Sequence, residues 1–326
     1  MNGRTEKEIK SERTVIEKLK YYPEVLSDFY YDMKDSGKSY LTAAKYIDYV
    51  IHFILFITGK TIKDSFYKNI TPTDIKRYMN SIKTKEDDSG NVIEVGDEIR
   101  AVRWSAINLF FAFLKDNEYI NENPVEKTKR PRAKVEHTVT YLTKEEITAM
   151  LTKVKEEAKP TFLNRDLSIL SLAITTGLRV NAICNINISD VNFKENTISV
   201  IEKGHKRRQI PFGENIKQVL QDWVIDRKTY FKGIDTDALF ISQFKQRLST
   251  DMVRRMVIKY TDGVTEKKIT PHKLRASCAV ALYDQTKDIL LVKDILGHDS
   301  IETTTRYTRA AEDCKAKAVQ ILDDLV

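Results

Sequence analysis

The chain has little cysteine. Its 326 residues include three, Cys184, Cys278 and Cys314. The number is odd and no Cys-x-x-Cys spacing occurs, so neither a disulfide framework nor a zinc site is expected, and a reducing cytoplasm fits. A long apolar run is also missing. A membrane-spanning helix needs about 20 mostly apolar residues. The most apolar short stretch, 49–58, falls well short of that and is interrupted by His52. Residues 1–13 are polar and charged, without the apolar centre of a secretory signal. A membrane partner is therefore not expected. Internal repeats and low-complexity segments are absent too.

What the chain does have is an excess of base. It carries 54 Lys and Arg against 47 Asp and Glu, a net charge of +7. That suits a polyanionic partner, although formal charge alone is a weak signal. Hydrophobic content of 41% is ordinary for a globular protein, and the length is comfortable for two domains.

The first half reads as helices. Residues 1–14 are charged and read as a flexible tail. From Val15 to Met33 apolar residues recur at helical spacing, with a break at Pro23. Leu26, Phe29, Tyr30 and Met33 form one stripe. A second helix spans Tyr40 to Phe56, with Leu41, Ala44, Ile47, Ile51 and Ile54 on or near one face. Thr71-Pro72 opens a third carrying Ile75, Met79 and Ile82. The polar stretch 83–94 contains Asp87-Asp88-Ser89-Gly90 and reads as a flexible insertion. Another helix covers about 96–116, with Ile99, Val102, Ala106, Phe110, Phe113 and Leu114. The expectation is a four-helix domain without strands over 15–120.

Residues 121–140 read as a linker. They include Pro124, Pro131 and the cations Lys127, Lys129, Arg130, Arg132 and Lys134. A basic linker is often only solvated, but between two domains it could follow a phosphate backbone.

The second domain, 141–326, opens with a capping box, Thr143-Lys144-Glu145-Glu146. A strongly apolar helix follows at 162–176, and Gly177 ends it. Strands at 197–201 and 208–212 flank Lys203-Gly204-His205-Lys206-Arg207, a β-hairpin with a basic tip. Helices resume at about 214–231, 249–260, 271–283 and 289–296. After Leu296-Gly297-His298, Ser300 is a candidate N-cap for a helix holding Tyr307. The fold class is mainly α, with a small antiparallel sheet in the second domain.

A tyrosine can be a covalent nucleophile if its surroundings stabilise the phenolate. Attack on a phosphodiester also needs fixed positive charge at the non-bridging oxygens and an acid for the leaving oxygen. Arginine suits the first need, because its planar fork donates two hydrogen bonds and keeps its charge. Such groups are present. Arg179 follows a helix-ending glycine. His272 and Arg275 lie three apart at a helix start, on one face. Lys203 sits at the mouth of the hairpin. Each alone has an ordinary explanation: a helix cap, a surface pair, a solubilising lysine, a turn histidine at 298.

Together, Thr176-Gly177-Leu178-Arg179, the hairpin Lys203-Gly204, Pro271-His272-Lys273-Leu274-Arg275 and Leu296-Gly297-His298-Asp299-Ser300-Ile301-Glu302-Thr303-Thr304-Thr305-Arg306-Tyr307 resemble the motifs of the tyrosine recombinase (phage integrase) family, in its order and at comparable spacing. The resemblance covers about 141–309. The helical half fits the family's SAM-like core-binding domain by shape and order only. The layout is Xer-like, with no room seen for an additional N-terminal arm-binding domain.

The resemblance implies a site-specific recombinase for integration, excision or resolution of DNA elements, such as mobile elements. Tyr307 would attack the scissile phosphate and form a 3′-phosphotyrosyl link. Arg179 and Arg275 would hold the phosphate, Lys203 would protonate the leaving 5′-oxygen, His272 would assist proton transfer and His298 would hydrogen-bond the phosphate. Neither ATP nor a metal is expected, so no cofactor. Lys206, Arg207 and Arg208 would join Lys127, Lys129, Arg130 and Arg132 in touching DNA. The partner would be double-stranded DNA with paired sites, bound by a tetramer whose C-terminal helices, from Ala310 onward, dock on neighbours; accessory proteins are further partners. There are departures. Ala182 stands where an acidic residue is common, Ala276-Ser277 where His-Thr often follows the second arginine, and Arg309 where histidine is common. Two rival readings follow: a DNA-binding protein that has lost cleavage, and a type IB topoisomerase-like or telomere-resolving enzyme.

Overall fold

A computed structural model of the chain describes residues 6–59, 62, 64–86, 92–132, 139–201, 207–297 and 304. The chain divides into two compact units, 1–135 and 136–326.

In the first unit five helices surround an aromatic core. They are α1 (Glu6–Leu19), α2 (Glu24–Asp35), α3 (Tyr40–Thr58), α4 (Pro72–Ser81) and α5 (Asp97–Asp116). The expected stripe on α2 is real: Leu26, Phe29, Tyr30 and Met33 are fully buried. Burying each such side chain contributes roughly 1.5–3 kcal/mol. Phe29 meets Phe110 edge-on at 5.2 Å, and Phe53 meets Tyr78 edge-on at 5.1 Å. Local chemistry fixes the helix starts. Ser39 Oγ accepts the Thr42 N–H to cap α3, and Thr71 and Asp74 form a capping box before Pro72 in α4. By length and hydropathy α3 alone among the described helices could cross a membrane, yet Ile47, Val50, Phe53 and Ile54 bury its inner face in this core.

Several expectations change. Helix α1 begins at Glu6, inside the stretch read as a tail, and seats Val15 and Leu19 in the core. The break expected at Pro23 separates α1 from α2, so the four helical regions comprise five α-helices among the described residues. The region 83–94, read as a flexible insertion, contains two antiparallel strands, β1 (Thr84–Glu86) and β2 (Val92–Glu94). Leu41 and Ile99, expected on apolar faces, are exposed. The first part of the linker is docked: Val125 is fully buried, and the Trp104 indole donates to Thr128 Oγ1 at 2.9 Å.

The second unit comprises α6 (Lys144–Glu157), α7 (Leu163–Thr176), α8 (Val180–Asn185), α9 (Glu214–Tyr230), α10 (Thr250–Thr261), α11 (Pro271–Thr286) and α12 (Ile289–Leu296). Its antiparallel sheet runs in the order β3 (Val191–Asn192), β4 (Thr197–Ile201), β5 (Arg207–Pro211). The Thr143–Glu146 capping box opens α6. Buried Ile169, Leu170, Leu172 and Ala173 of α7 belong to one core with Ile216, Leu220 and Trp223 of α9 and with Ile198, Val200 and Ile210 of the sheet. Side chains alternate across a strand, so Arg208 shares the inward face of β5 with Ile210, while Arg207 and Gln209 face outward.

Candidate active site

Gly177 ends α7 with φ +61°, in the left-handed region that glycine occupies without a Cβ penalty. A second constraint acts there. A Cβ on Gly177 would lie 2.4 Å from Leu296 Cδ2 and 3.3 Å from Cys278 Sγ. The bare glycine lets the end of α7 close against the end of α12. Two residues on, Arg179 is exposed at the N-cap of α8.

Helix α11 starts at Pro271, where a missing N–H costs nothing. His272, its second residue, is exposed at the positive end of the helix dipole, a setting that favours an anion. One turn later Arg275 is buried, 2% exposed. Its Nη1 donates to the Gly177 carbonyl and its Nη2 to the Leu296 carbonyl, both at 2.6 Å. This guanidinium therefore ties the turn before Arg179 to the end of α12, the point from which the chain continues to His298. Beside it, burial pushes the Cys278 thiol up to about 11, with the Arg275 charge opposing.

Arg208 joins the same place from the sheet. Its Nη1 donates to the Asp294 carbonyl at 3.0 Å and its Nη2 to the Ile295 carbonyl at 2.6 Å. Arg208 was expected to touch DNA; the inward face of β5 aims its head at α12. Arg207, on the outward face, is exposed. Lys203, Lys206, His298 and Tyr307 lie outside the described residues, as does the C-terminal helix expected from Ala310. Thr304, three residues before Tyr307, is helical and fully buried. Ala182, at the position where an acid was noted as missing, packs its methyl against the core of the unit.

In the first unit the linker cations share a surface with those of the helices. Lys127, Lys129 and Arg130 line a cleft of about 470 Å³ with Lys76 of α4 and Arg100 of α5. Lys127 pairs with Glu122 at 2.5 Å. Arg132 is exposed just beyond. Among the described residues no group of His, Cys, Asp or Glu is placed to hold a metal ion.

One buried polar network escaped the sequence reading. Arg165 and Asp166 bridge at 2.8 Å within α7, Tyr260 donates its hydroxyl to Asp166 Oδ2 at 2.8 Å, and Arg165 Nη1 donates to the Ile241 carbonyl at 2.9 Å. Burial and the Asp166 carboxylate both raise the Tyr260 hydroxyl pKa. The signal was available: adjacent opposite charges inside an apolar helix are costly unless paired.

The chain is similar to proteins of known family and fold. The profile of the phage integrase family matches residues 140–313. The tyrosine recombinase XerC of Thermodesulfovibrio yellowstonii (strain ATCC 51303 / DSM 11347 / YP87) is 34% identical over 219 residues, covering 64% of the chain and 70% of that protein. The XerC of Caldanaerobacter subterraneus subsp. tengcongensis is 29% identical over 325 residues, covering 95% of the chain and 89% of that protein. In fold, the chain is similar to the XerH recombinase in a post-cleavage complex with a palindromic difH substrate. That match has a TM-score of 0.70 and 21% identity, and covers 87% of the chain and 80% of the other.

Proposed function

The chain belongs to the phage integrase family and is a site-specific DNA recombinase, and we propose that it works through Tyr307. The Tyr307 oxygen attacks phosphorus, a 3′-phosphotyrosyl bond forms, and the bond to the 5′-oxygen breaks. Lys203 gives its proton to that leaving oxygen. Attack by the 5′-hydroxyl of a second strand reverses the step and restores the tyrosine. Because the phosphoester is conserved throughout, the exchange needs no nucleotide cofactor.

Arg179 and Arg275 stabilise charge developing on the non-bridging oxygens and His298 hydrogen-bonds the phosphate, while His272 assists proton transfer by taking up the proton that Tyr307 loses. The observation that most supports this reading is the Arg275 guanidinium spanning Gly177 and Leu296. It links the segments that carry Arg179 and His298, and it holds a cation in place before any phosphate arrives. Fixed charge of this kind is worth more than mobile charge, since no reorganisation accompanies the reaction. Lys127, Lys129, Arg130 and Arg132 follow the DNA backbone, with Lys206 and Arg207 contributing from the hairpin. The segment after Tyr307 docks on a neighbouring copy, so cleavage belongs to a tetramer holding two duplexes in the cytoplasm, with accessory proteins selecting among integration, excision and resolution.

A nicked suicide substrate tests the assignment. The wild type should accumulate a covalent adduct and Tyr307→Phe should not. An adduct that persists in Tyr307→Phe would remove Tyr307 as the nucleophile. Ala182, with no acid to order the site, favours a second reading in which DNA is bound but not cut; tight binding without any adduct in the wild type would establish it. Broad relaxation of supercoiled DNA that lacks a cognate site would favour a topoisomerase-like enzyme.

A further inference from the structure

The end of α12 is where three parts of the second unit meet. Its last carbonyls have no i+4 donors within the helix, and of these Asp294 accepts the N–H of the C-cap Gly297 at 3.1 Å. Side chains from elsewhere add to this: Arg208 donates to Asp294 and Ile295, and Arg275 donates to Leu296. Arg208 lies opposite Val200 in the β4–β5 ladder, one pair in from Ile201–Arg207, the last described pair before the segment that contains Lys203. Gly177 presses against Leu296 from the third side.

We propose that Arg208 is a positioning residue for strand cleavage. By holding the carbonyls of Asp294 and Ile295 it keeps the point at which the chain leaves α12, toward His298 and Tyr307, in register with the sheet that carries the proposed acid, Lys203. It does so without touching DNA. The proposal rests on the function given above, and it makes Arg208 different in kind from its neighbour Arg207. One guanidinium bridges two successive carbonyls because its planar fork offers parallel donors; a lysine ammonium is a single point on a flexible stem and lacks that geometry. Misplacing a reacting group by an ångström costs on the order of 100-fold in rate.

The test compares Arg208→Ala, Arg208→Lys and Arg207→Ala in the full chain. Three quantities are read: the single-turnover rate of adduct formation on the suicide substrate, the DNA affinity across a salt series, and amide hydrogen exchange over 294–307. For Arg208→Ala the rate should fall roughly 10- to 100-fold, with affinity and salt slope unchanged and exchange over 294–307 accelerated. Arg208→Lys should recover little of the rate. Arg207→Ala should instead lower the affinity and reduce the salt slope by about 1. If Arg208→Ala lowers the slope like a phosphate contact, or leaves exchange over 294–307 unchanged, the proposal fails. Should Arg208→Ala not fold, Arg208→Lys carries the same comparison, because it keeps the charge and loses the fork; a normal rate in that variant overturns the proposal. A wild type that forms no adduct would refute the function reading instead, and the exchange data would still decide whether Arg208 holds α12.

Discussion

Arg275 donates to the carbonyl of Gly177 and, with its other terminal nitrogen, to that of Leu296, at 2.6 Å each. Its role in the unit is therefore structural before it is chemical. Arg179 differs, because it stands exposed at a helix N-cap. The two arginines, equivalent in the expected chemistry, should separate under mutation. Arg275→Ala leaves two buried carbonyls without this donor, at about 1–3 kcal/mol each, and should lower the urea midpoint strongly. Arg179→Ala should change stability by less than about 1 kcal/mol while abolishing adduct formation. Equal losses of stability would contradict the division.

Gly177→Ala should be destabilising for two separate reasons. Its φ of +61° is strained for alanine, and the new methyl would meet Leu296 Cδ2 at 2.4 Å. Overpacking of this type costs typically 1–3 kcal/mol. Leu296→Ala added to Gly177→Ala should relieve the steric part and leave the backbone part, so the double variant should be more stable than the sum of the two single losses predicts. Strict additivity in urea denaturation would rule out the contact.

Alkaline pH should loosen the second unit through its buried thiols. Burial raises Cys184 to about 12 and Cys278 to about 11, from an ordinary value of 9.0. A pKa raised on folding means that the unfolded chain ionises first. The stabilising contribution is complete below pH 9.0 and is lost as pH climbs through the folded values of about 11 and 12. Between pH 8 and pH 10.5, wild type should lose more stability than Cys278→Ala does; identical slopes would show that folding does not raise the pKa of this thiol.

The linker cations should contribute unequally to DNA binding. Each phosphate contact gives a slope of about −0.9 in log affinity against log salt. Lys127 is already paired with Glu122 at 2.5 Å, whereas Lys129 shares its cleft with Lys76 and Arg100. Lys129→Ala should flatten the slope by about 0.9, and Lys127→Ala by less. Glu122→Gln should restore the Lys127 contribution and strengthen binding. An unchanged affinity in Glu122→Gln would show that the pair does not compete with DNA.

Wherever a local rule was sufficient, the chain could be read in advance. The capping box at Thr143 and Glu146 set the start of α6, Gly177 set the end of α7, and α12 fell on 289–296 as expected. These signals act within a few residues. The β1–β2 hairpin was not legible, because its strands are short, polar at most positions and, along β2, exposed, so no alternating pattern marks them. Docking of the linker turned on Val125, one apolar residue with no period around it. Ile99 shows the opposite error: a helix-spaced apolar residue left facing solvent.

Legibility of the site divides along the same line. Arg179, His272 and Arg275 were legible as residue types in order, and the turn and the helix start that present them were legible too. What Arg275 and Arg208 bind was not. A guanidinium chooses between a phosphate and a carbonyl according to what lies within reach, and Gly177, Asp294, Ile295 and Leu296 come within reach only through tertiary packing. For Arg208 the period of the strand held a clue, since it shares parity with buried Ile210. The basic composition concealed the difference, because arginines consumed inside the unit count the same as those left on its surface.

The capping of α12 also has a kinetic meaning. An eight-residue helix is marginal on its own, because nucleation is costly and the segment is too short to recover that cost. Its C-terminal acceptors are served by Arg208, 86 and 87 residues away in sequence, and by Arg275, 21 residues away. Neither donor is in place until the sheet and α11 have formed. Helix α12 is thus among the last elements of the unit to order during folding, since contacts of such sequence separation are made only after the intervening chain has closed. The chain beyond it, with the proposed nucleophile Tyr307, has no fixed point of departure until then, so a partly folded recombinase would be chemically silent before it reached DNA.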